Sequence, residues 1–180
     1  ATAFDDTYGN SYEGISDTTS LSFTTADETN PSLSSSVPAD NATKVATNSN
    51  IILNFSEAVD VETGNIVIYK ASDDSSVETI DVTDGSKVTG SGSNQITINP
   101  GSDLAESTSY YVQIAATAFD DAYGNSYEGI IDATSLSFTT ADETNPSLSS
   151  SAPADNATTV ATNSNIILNF SEAVYVETGN

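Results

Sequence analysis

The sequence predicts an all-β fold, a sandwich of two antiparallel sheets that is repeated along the chain. Apolar and polar residues alternate in short runs, turn signals separate these runs, and no helical periodicity extends beyond a turn or two. In addition, the first 65 residues recur almost unchanged as the last 65. Together these observations predict copies of one small β-domain rather than a single large fold.

The internal repeat has a period of 115 residues. ATAFDDTYGNSYEGI at 1–15 returns as ATAFDDAYGNSYEGI at 116–130, and 59 of the 65 shared positions are identical. A period of this length has the size of an independent domain. We therefore predict an excerpt from a longer array. Its parts are the C-terminal part of one repeat at 1–26, a complete repeat at 27–141 and the N-terminal part of the next at 142–180.

Period-two alternation places the strands of the complete repeat. The alternating apolar positions are, in chain order, Ile51, Leu53 and Phe55; Ile66 and Ile68; Ile96 and Ile98; Tyr110, Val112 and Ile114; Leu136 and Phe138. One buried and one wet face per strand is the antiparallel pattern. The seven predicted strands span 32–36, 50–55, 65–70, 77–82, 94–98, 109–115 and 135–140.

Turn signals separate these strands, among them Thr-Gly-Asn at 63–65, Asp-Gly at 84–85 and Asn-Pro-Gly at 99–101. Seven short strands in a repeat of this length are typical of an immunoglobulin-like Greek-key sandwich. The predicted fold class is therefore an all-β, immunoglobulin-like sandwich in tandem repeats.

The composition excludes several classes of function. The chain has 3 basic residues, 26 acidic residues and a net charge of −23, so it lacks the cations that bind nucleic-acid phosphates. Because it has no His and no Cys, the usual zinc and iron sites and the His-assisted nucleophiles are excluded as well. Paired-carboxylate hydrolysis remains possible by composition, but near-identical small sandwiches rarely provide its cleft. We expect no enzyme, and no membrane insertion, because no apolar run reaches about 18 residues.

Sandwich topology predicts where the acidic residues gather. The loops at 56–64 and 118–131 are expected beside the incoming linker, at what we call the entry pole. The loops at 37–44 and 99–107 are expected beside the outgoing linker, at the exit pole. The entry-pole ligand candidates are Asp27, Glu28, Glu57, Asp60, Glu62, Asp120, Asp121 and Asn125, and the exit-pole candidates are Asp40, Asn41, Asp103, Glu106 and Asp142.

Clustered oxygen ligands at a domain junction predict Ca²⁺, which takes six to eight oxygens. The complete repeat carries 17 acidic residues against three lysines, so protein cations do not neutralise the cluster. The flanking copies contribute Asp5, Asp6 and Glu172 to the predicted ligand set. The alternative interpretation of any acidic loop is a solvated charged surface, and we favour it for Asp73, Asp74, Asp81 and Asp84.

Four segments of the repeat carry a family resemblance when taken together: PADNAT at 38–43, NFSEAV at 54–59, GNIVIYK at 64–70 and AFDDAYGNSYEG at 118–129. The repeat resembles the bacterial Ig-like domain of the S-layer and adhesin type. The resemblance implies tandem arrays in giant surface adhesins, including the extender region of calcium-dependent, RTX-type ice-binding adhesins. It further implies an extracellular stalk that Ca²⁺ makes rigid.

The function predicted from these features is a structural extender of a bacterial surface adhesin, with neighbouring identical repeats as its partners. One alternative is a self-assembling extracellular filament or surface-layer subunit with lateral or end-to-end copies. Another is a weak multivalent module that binds glycan or ice, since identical weak sites gain avidity.

Overall fold

The complete repeat is a sandwich of two five-stranded sheets, which confirms the predicted all-β, immunoglobulin-like sandwich. The computed structural model describes residues 4–176 and 178. It contains twelve strands in that part of the chain and no helix that is long and apolar enough to cross a membrane.

The first sheet has the order β1-β3-β7-β6, and β9 pairs separately with β3. Its strands are β1 (Leu33–Val37), β3 (Ile51–Val61), β6 (Val88–Thr89), β7 (Ser93–Ile98) and β9 (Phe119–Asp120). Every pairing in this sheet is antiparallel. The long strand β3 is central, because it pairs with β1, β7 and β9.

The second sheet has the order β2-β10-β8-β4-β5. Its strands are β2 (Ala42–Val45), β4 (Asn65–Lys70), β5 (Ser75–Asp81), β8 (Ser109–Ile114) and β10 (Ser137–Thr140). All its pairings are antiparallel except that of β2 with β10, which is parallel. The chain thus crosses from the first sheet to the second between β1 and β2.

The core lies between the two sheets, where the alternating apolar residues of both meet. Leu53, Ile66, Ile96 and Val112 are all 0% exposed. At one end of the core, the ring of Phe55 lies 5.4 Å from that of Phe119 and 5.2 Å from that of Tyr127. Aromatic pairs at these separations add to the free energy that burial provides.

The structure differs from the predicted strands in two respects. The short strands β2, β6 and β9 were not predicted, because two to four residues carry too little alternation to be recognised. In addition, β3 runs on to Val61, whereas the sequence predicted a loop at 56–64. The register of β3 against β7 shifts between Asn54 and Val59, and this irregularity interrupts the alternation that sequence analysis depends on.

The third copy of the repeat begins with a hairpin of β11 (Leu148–Ala152) and β12 (Ile167–Phe170). Its register repeats that of β1 with β3 residue for residue, including the bulge near the start. Leu168, however, is 51% exposed, whereas its counterpart Leu53 is 0% exposed. The repeated sequence therefore gives the same local pairing, and burial depends on the remainder of the sandwich.

Thr140 is one of the few buried polar residues, and it provides a test of the fold. Its Oγ1 donates to the Ala105 carbonyl at 2.7 Å and accepts from the Thr108 N–H at 3.0 Å. Thr140→Val removes both bonds, and we expect it to destabilise the repeat by about 1.5 kcal/mol. Thr25→Val is the matched control, because Thr25 occupies the same position in the first copy and is exposed. Urea unfolding of both variants measures the difference, and equal costs would contradict the buried hydrogen-bonding role.

Candidate metal centre

Three carboxylates meet at the entry pole of the complete repeat. One oxygen each of Asp27, Glu57 and Asp121 lies within 4.8 Å of the other two, and we call these residues the carboxylate triad. Asp121 is buried, while Asp27 and Glu57 are half-buried. No other group of three acidic side chains comes this close within residues 4–176 and 178.

The triad is assembled from three separate segments of the chain. Asp27 lies in the linker before β1, Glu57 lies in the irregular part of β3, and Asp121 directly follows β9. The pairing of β9 with the far end of β3, Phe119 opposite Val61, brings Asp121 to this strand. The extension of β3 that the sequence did not predict is therefore what supports the site.

Asp121 is held by a tight turn that its own side chain organises. Its Oδ1 accepts the backbone N–H groups of Tyr123 and Asn125, both at 2.8 Å, and its Oδ2 accepts the Asn125 side-chain amide at 2.8 Å. Asn125 also donates to the backbone carbonyl of Asp27 at 3.2 Å. This second bond ties the turn to the incoming linker.

The same turn forms around Asp6, the counterpart of Asp121 in the first copy. Oδ1 of Asp6 accepts the N–H groups of Tyr8 and Asn10 at 2.9 and 2.8 Å, and Oδ2 accepts the Asn10 amide at 2.8 Å. There the turn is exposed. The turn is therefore a local property of the sequence, whereas its placement in a triad is a property of the folded repeat.

The electrostatics of the site favour a bound cation. Burial raises the pKa of Asp121, but hydrogen bonds from the Asn125 side chain and from backbone N–H groups outweigh it and hold this pKa below its ordinary value. Asp121 is thus charged at neutral pH. Like charges about 4 Å apart repel by roughly 1 kcal/mol per pair even at the dielectric constant of water. Among the described residues, Lys87 forms an ion pair with Glu78 at 2.6 Å. This lysine therefore does not neutralise the triad.

The donor set is typical of a hard cation. Carboxylate oxygens are the ligands that Ca²⁺ prefers, and its six to eight positions accommodate carboxylates together with carbonyls and water. The absence of His and Cys from the sequence leaves the softer metals without their ligands. The residues present therefore fit a calcium ion.

The other entry-pole candidates lie outside the triad. Glu28 and Glu62 are exposed. Asp60 and Asp120 face each other across the β3–β9 pair, and Asp60 accepts a hydrogen bond from Ser91 at 3.2 Å. Sequence reasoning placed the correct loops together but did not distinguish which acids converge.

The exit-pole candidates lie in two places: Glu106 contacts the outgoing linker through Thr144, whereas Asp40 and Asn41 lie elsewhere. Asp40 lies at the crossover between β1 and β2, where it accepts the Ser137 N–H at 3.0 Å and the Ser137 hydroxyl at 2.9 Å. It therefore lies at the start of β10, whereas Asp142 follows its end. Asn41 beside it donates to Asp40, and Asp103 is exposed. The structure thus separates Asp40 and Asn41 from Asp142 along β10, and the metal role of the exit-pole candidates stays a prediction.

The flanking copies hold counterparts of the triad. Asp142 and Glu172 correspond to Asp27 and Glu57, and Asp6 corresponds to Asp121. Asp142 accepts the Thr144 N–H at 3.1 Å, and Asp5 forms a bridge with Ser11 as Asp120 does with Ser126. Their metal role stays a prediction.

The outgoing linker makes contacts that the sequence did not indicate. Glu143 accepts both the N–H and the hydroxyl of Thr47, and the Thr144 hydroxyl donates to Glu106 at 2.7 Å. The sequence feature that could have indicated these contacts is the Asp-Glu-Thr segment, which occurs in both linkers, at 27–29 and 142–144.

The acids predicted to be solvated also close turns, and Asp73, Asp74 and Asp81 are exposed as expected. Asp73, Asp81 and Asp84 each accept the backbone N–H and the hydroxyl of the Ser or Thr two residues ahead. These hydrogen bonds lower the pKa of all three. Asp74 accepts from the Tyr111 hydroxyl at 3.2 Å. None of them belongs to the triad.

The family of the chain follows from a match to the model of the bacterial Ig-like domain, which covers residues 27–140 and again 142–180. The chain belongs to the bacterial Ig-like domain family. In this bacterial Ig-like domain the second match begins at Asp142, the counterpart of Asp27. No curated protein matches the sequence.

Two solved structures are similar to the bacterial Ig-like domain. CopC from Methylosinus trichosporium OB3b has a TM-score of 0.43 and 19% identity, covering 64% of this chain and 97% of that one. The S-layer protein rSbsC(31-844) has a TM-score of 0.42 and 14% identity, covering 67% of this chain. The chain spans 16% of the length of that S-layer protein.

Proposed function

We propose that this chain is part of the stalk of a bacterial cell-surface adhesin, in which Ca²⁺ bound at the carboxylate triad makes the junction between repeats rigid. The stalk acts by holding a distal binding region away from the cell, not by catalysis. Its partners are the neighbouring repeats of the same chain, and it works outside the cell.

The observation that carries this proposal is the origin of the triad residues. Asp27 belongs to the linker, whereas Glu57 and Asp121 belong to the sandwich. An ion held by all three fixes the linker against the repeat that follows it. Because Ca²⁺ binds only the folded arrangement, it also adds to the stability of the repeat.

Charge supports the same proposal. The complete repeat has 17 acidic residues and three lysines, and the repeated sequence places similar charge in each neighbour. A divalent cation at each junction offsets this repulsion where successive repeats approach. The near-identity of the copies also fits a structural unit, since a stalk needs no specialised members.

Calcium titration by calorimetry tests the site directly. We expect the chain to bind Ca²⁺, and Glu57→Gln to weaken the affinity by about tenfold or more, because affinity follows the number of charged ligands. The substitution keeps the shape of the side chain and removes its charge.

Glu62→Gln is the matched control for this titration, because Glu62 is an exposed glutamate directly after the same strand and lies outside the triad. It should bind Ca²⁺ as the unmodified chain does. Equal affinities for the Glu57→Gln and Glu62→Gln variants would remove the triad as the binding site.

A further inference from the structure

The two linkers have the same sequence and share one local hydrogen bond. ADETNP occurs at 26–31 and at 141–146. In the first, Asp27 Oδ1 accepts the Thr29 N–H at 3.0 Å; in the second, Asp142 Oδ1 accepts the Thr144 N–H at 3.1 Å. The first linker shows how this segment contacts the repeat that follows it, and the second shows how it contacts the repeat that precedes it. The two sets of contacts together therefore describe both sides of one junction.

The outgoing linker is bound to the repeat that precedes it. Glu143 accepts the Thr47 N–H at 3.3 Å through Oε1 and the Thr47 hydroxyl at 3.0 Å through Oε2. Backbone bonds flank this contact: the Ala141 N–H donates to Val45 at 2.7 Å, and the Ser107 N–H donates to Ala141 at 3.0 Å. The linker is thus fastened by two hydrogen bonds to one carboxylate and by backbone pairing.

The incoming linker is bound to the repeat that follows it. Asp27 contributes its carboxylate to the triad and its backbone carbonyl to Asn125. Glu28, the counterpart of Glu143, is exposed and lies outside the triad. The Asp of the linker therefore contacts the following repeat, and the adjacent Glu contacts the preceding one.

We propose that the Asp-Glu pair of each linker is a two-sided joint, in which the Asp binds the following repeat and the Glu latches onto the preceding one. The latch accepts the N–H and the hydroxyl of the threonine at the position of Thr47 in that preceding repeat. Glu28 is accordingly a latch for the repeat before it and not a ligand of the triad. The latch requires no metal. The Asp side of the joint rests on the proposed calcium site, whereas the latch uses only the tandem order of the repeats and does not depend on that site.

The physical reason for the latch is the burial of its partner. Thr47 is 9% exposed, and its backbone N–H would lose an acceptor if Glu143 moved away. An unsatisfied buried donor is costly, and a hydrogen bond to a charged acceptor is stronger than a neutral one. Docking of the linker thus completes the hydrogen bonding of Thr47 at the exit pole.

Amide hydrogen exchange in a calcium-free chelator solution tests the latch on the full chain. We expect Glu143→Ala to speed exchange at Thr47 and Ser107 by about tenfold or more, because it removes both hydrogen bonds from Thr47 to a charged acceptor. Core amides such as those of Leu53 and Ile96 should remain far more protected than these two amides, which separates local opening from unfolding. Thr47→Val, which keeps the N–H and removes the hydroxyl, should speed exchange at Ser107 in the same direction.

Glu28→Ala is the matched control, since residues 1–27 contain no counterpart of Thr47 for this glutamate to contact. It should alter neither exchange at Thr47 nor the affinity for Ca²⁺. Unchanged exchange in Glu143→Ala would overturn the latch, and a tenfold loss of Ca²⁺ affinity in Glu28→Ala would overturn the assignment of this glutamate to the preceding repeat. If the chain binds no Ca²⁺ but Glu143→Ala still opens the linker, the calcium proposal fails and the latch stands.

Discussion

Removing Ca²⁺ with a chelator is expected to lower the free energy of unfolding of the complete repeat by about 2 kcal/mol. Extracellular calcium modules bind with dissociation constants of about 10⁻⁴ to 10⁻³ M. At about 10 mM Ca²⁺ such a site stabilises the native state by about 1.4 to 2.7 kcal/mol, because the unfolded chain does not hold the triad together. For a domain of this size the melting temperature falls by about 5 to 10 °C, which thermal unfolding followed by circular dichroism measures.

The matched variants for this experiment come from the repeat itself. Asp121→Asn should abolish the difference between calcium and chelator, whereas Asp6→Asn should leave it intact, because Asp6 forms the same turn and belongs to no triad among the described residues. Small-angle scattering on the same samples should show a more flexible chain in chelator. Identical melting and scattering curves with and without Ca²⁺ would refute the structural role of the ion.

Phe119→Ala is expected to have the largest effect of any substitution considered, destabilising the repeat by about 4 kcal/mol. Phe119 is 0% exposed, and its ring packs 5.4 Å from that of Phe55 beneath the entry pole. Truncation leaves a cavity and weakens the β9 segment that positions Asp121. We therefore expect a loss of Ca²⁺ affinity as well as a loss of stability, both measurable by unfolding with and without the ion.

Phe4 provides the control for this substitution within the same chain. It lies in the same ATAFDD sequence as Phe119, yet it is 70% exposed. Phe4→Ala should change the stability by less than about 0.5 kcal/mol, as surface substitutions usually do. Comparable costs at the two positions would mean that burial in the complete repeat is not what makes Phe119 important.

The strands were predictable because each buries one face. The alternation at Ile51, Leu53 and Phe55 reflects this burial, and the structure gives exposures of 1%, 0% and 3% at these positions. The two-residue strand β9 is too short to show such an alternation. It exists because β3 extends past its bulge and offers a partner, which is a property of the sheet rather than of the two residues.

The candidate site was partly predictable for a related reason. Topology alone brings the 56–64 and 118–131 loops to the incoming linker, and the triad takes one member from each of these three segments. Which acids converge depends on the direction of their side chains. The irregularity of β3 between Asn54 and Val59 changes that direction near Glu57. Asp40 shows the limit of the topological argument, since its position depends on where the chain crosses between the sheets.

The sequence by itself determined the repeat, the strand pattern and the turn around each Asp-x-Tyr-Gly-Asn segment, because these depend on neighbouring residues and recur in the flanking copies. Only the tertiary structure decided which carboxylates meet and that Glu143 of the outgoing linker contacts Thr47 of the repeat before it. Asp6 and Asp121 have almost the same local sequence and the same turn, but only Asp121 has Asp27 and Glu57 beside it. The difference lies in long-range strand pairing, which places residues close in space that are far apart in the chain.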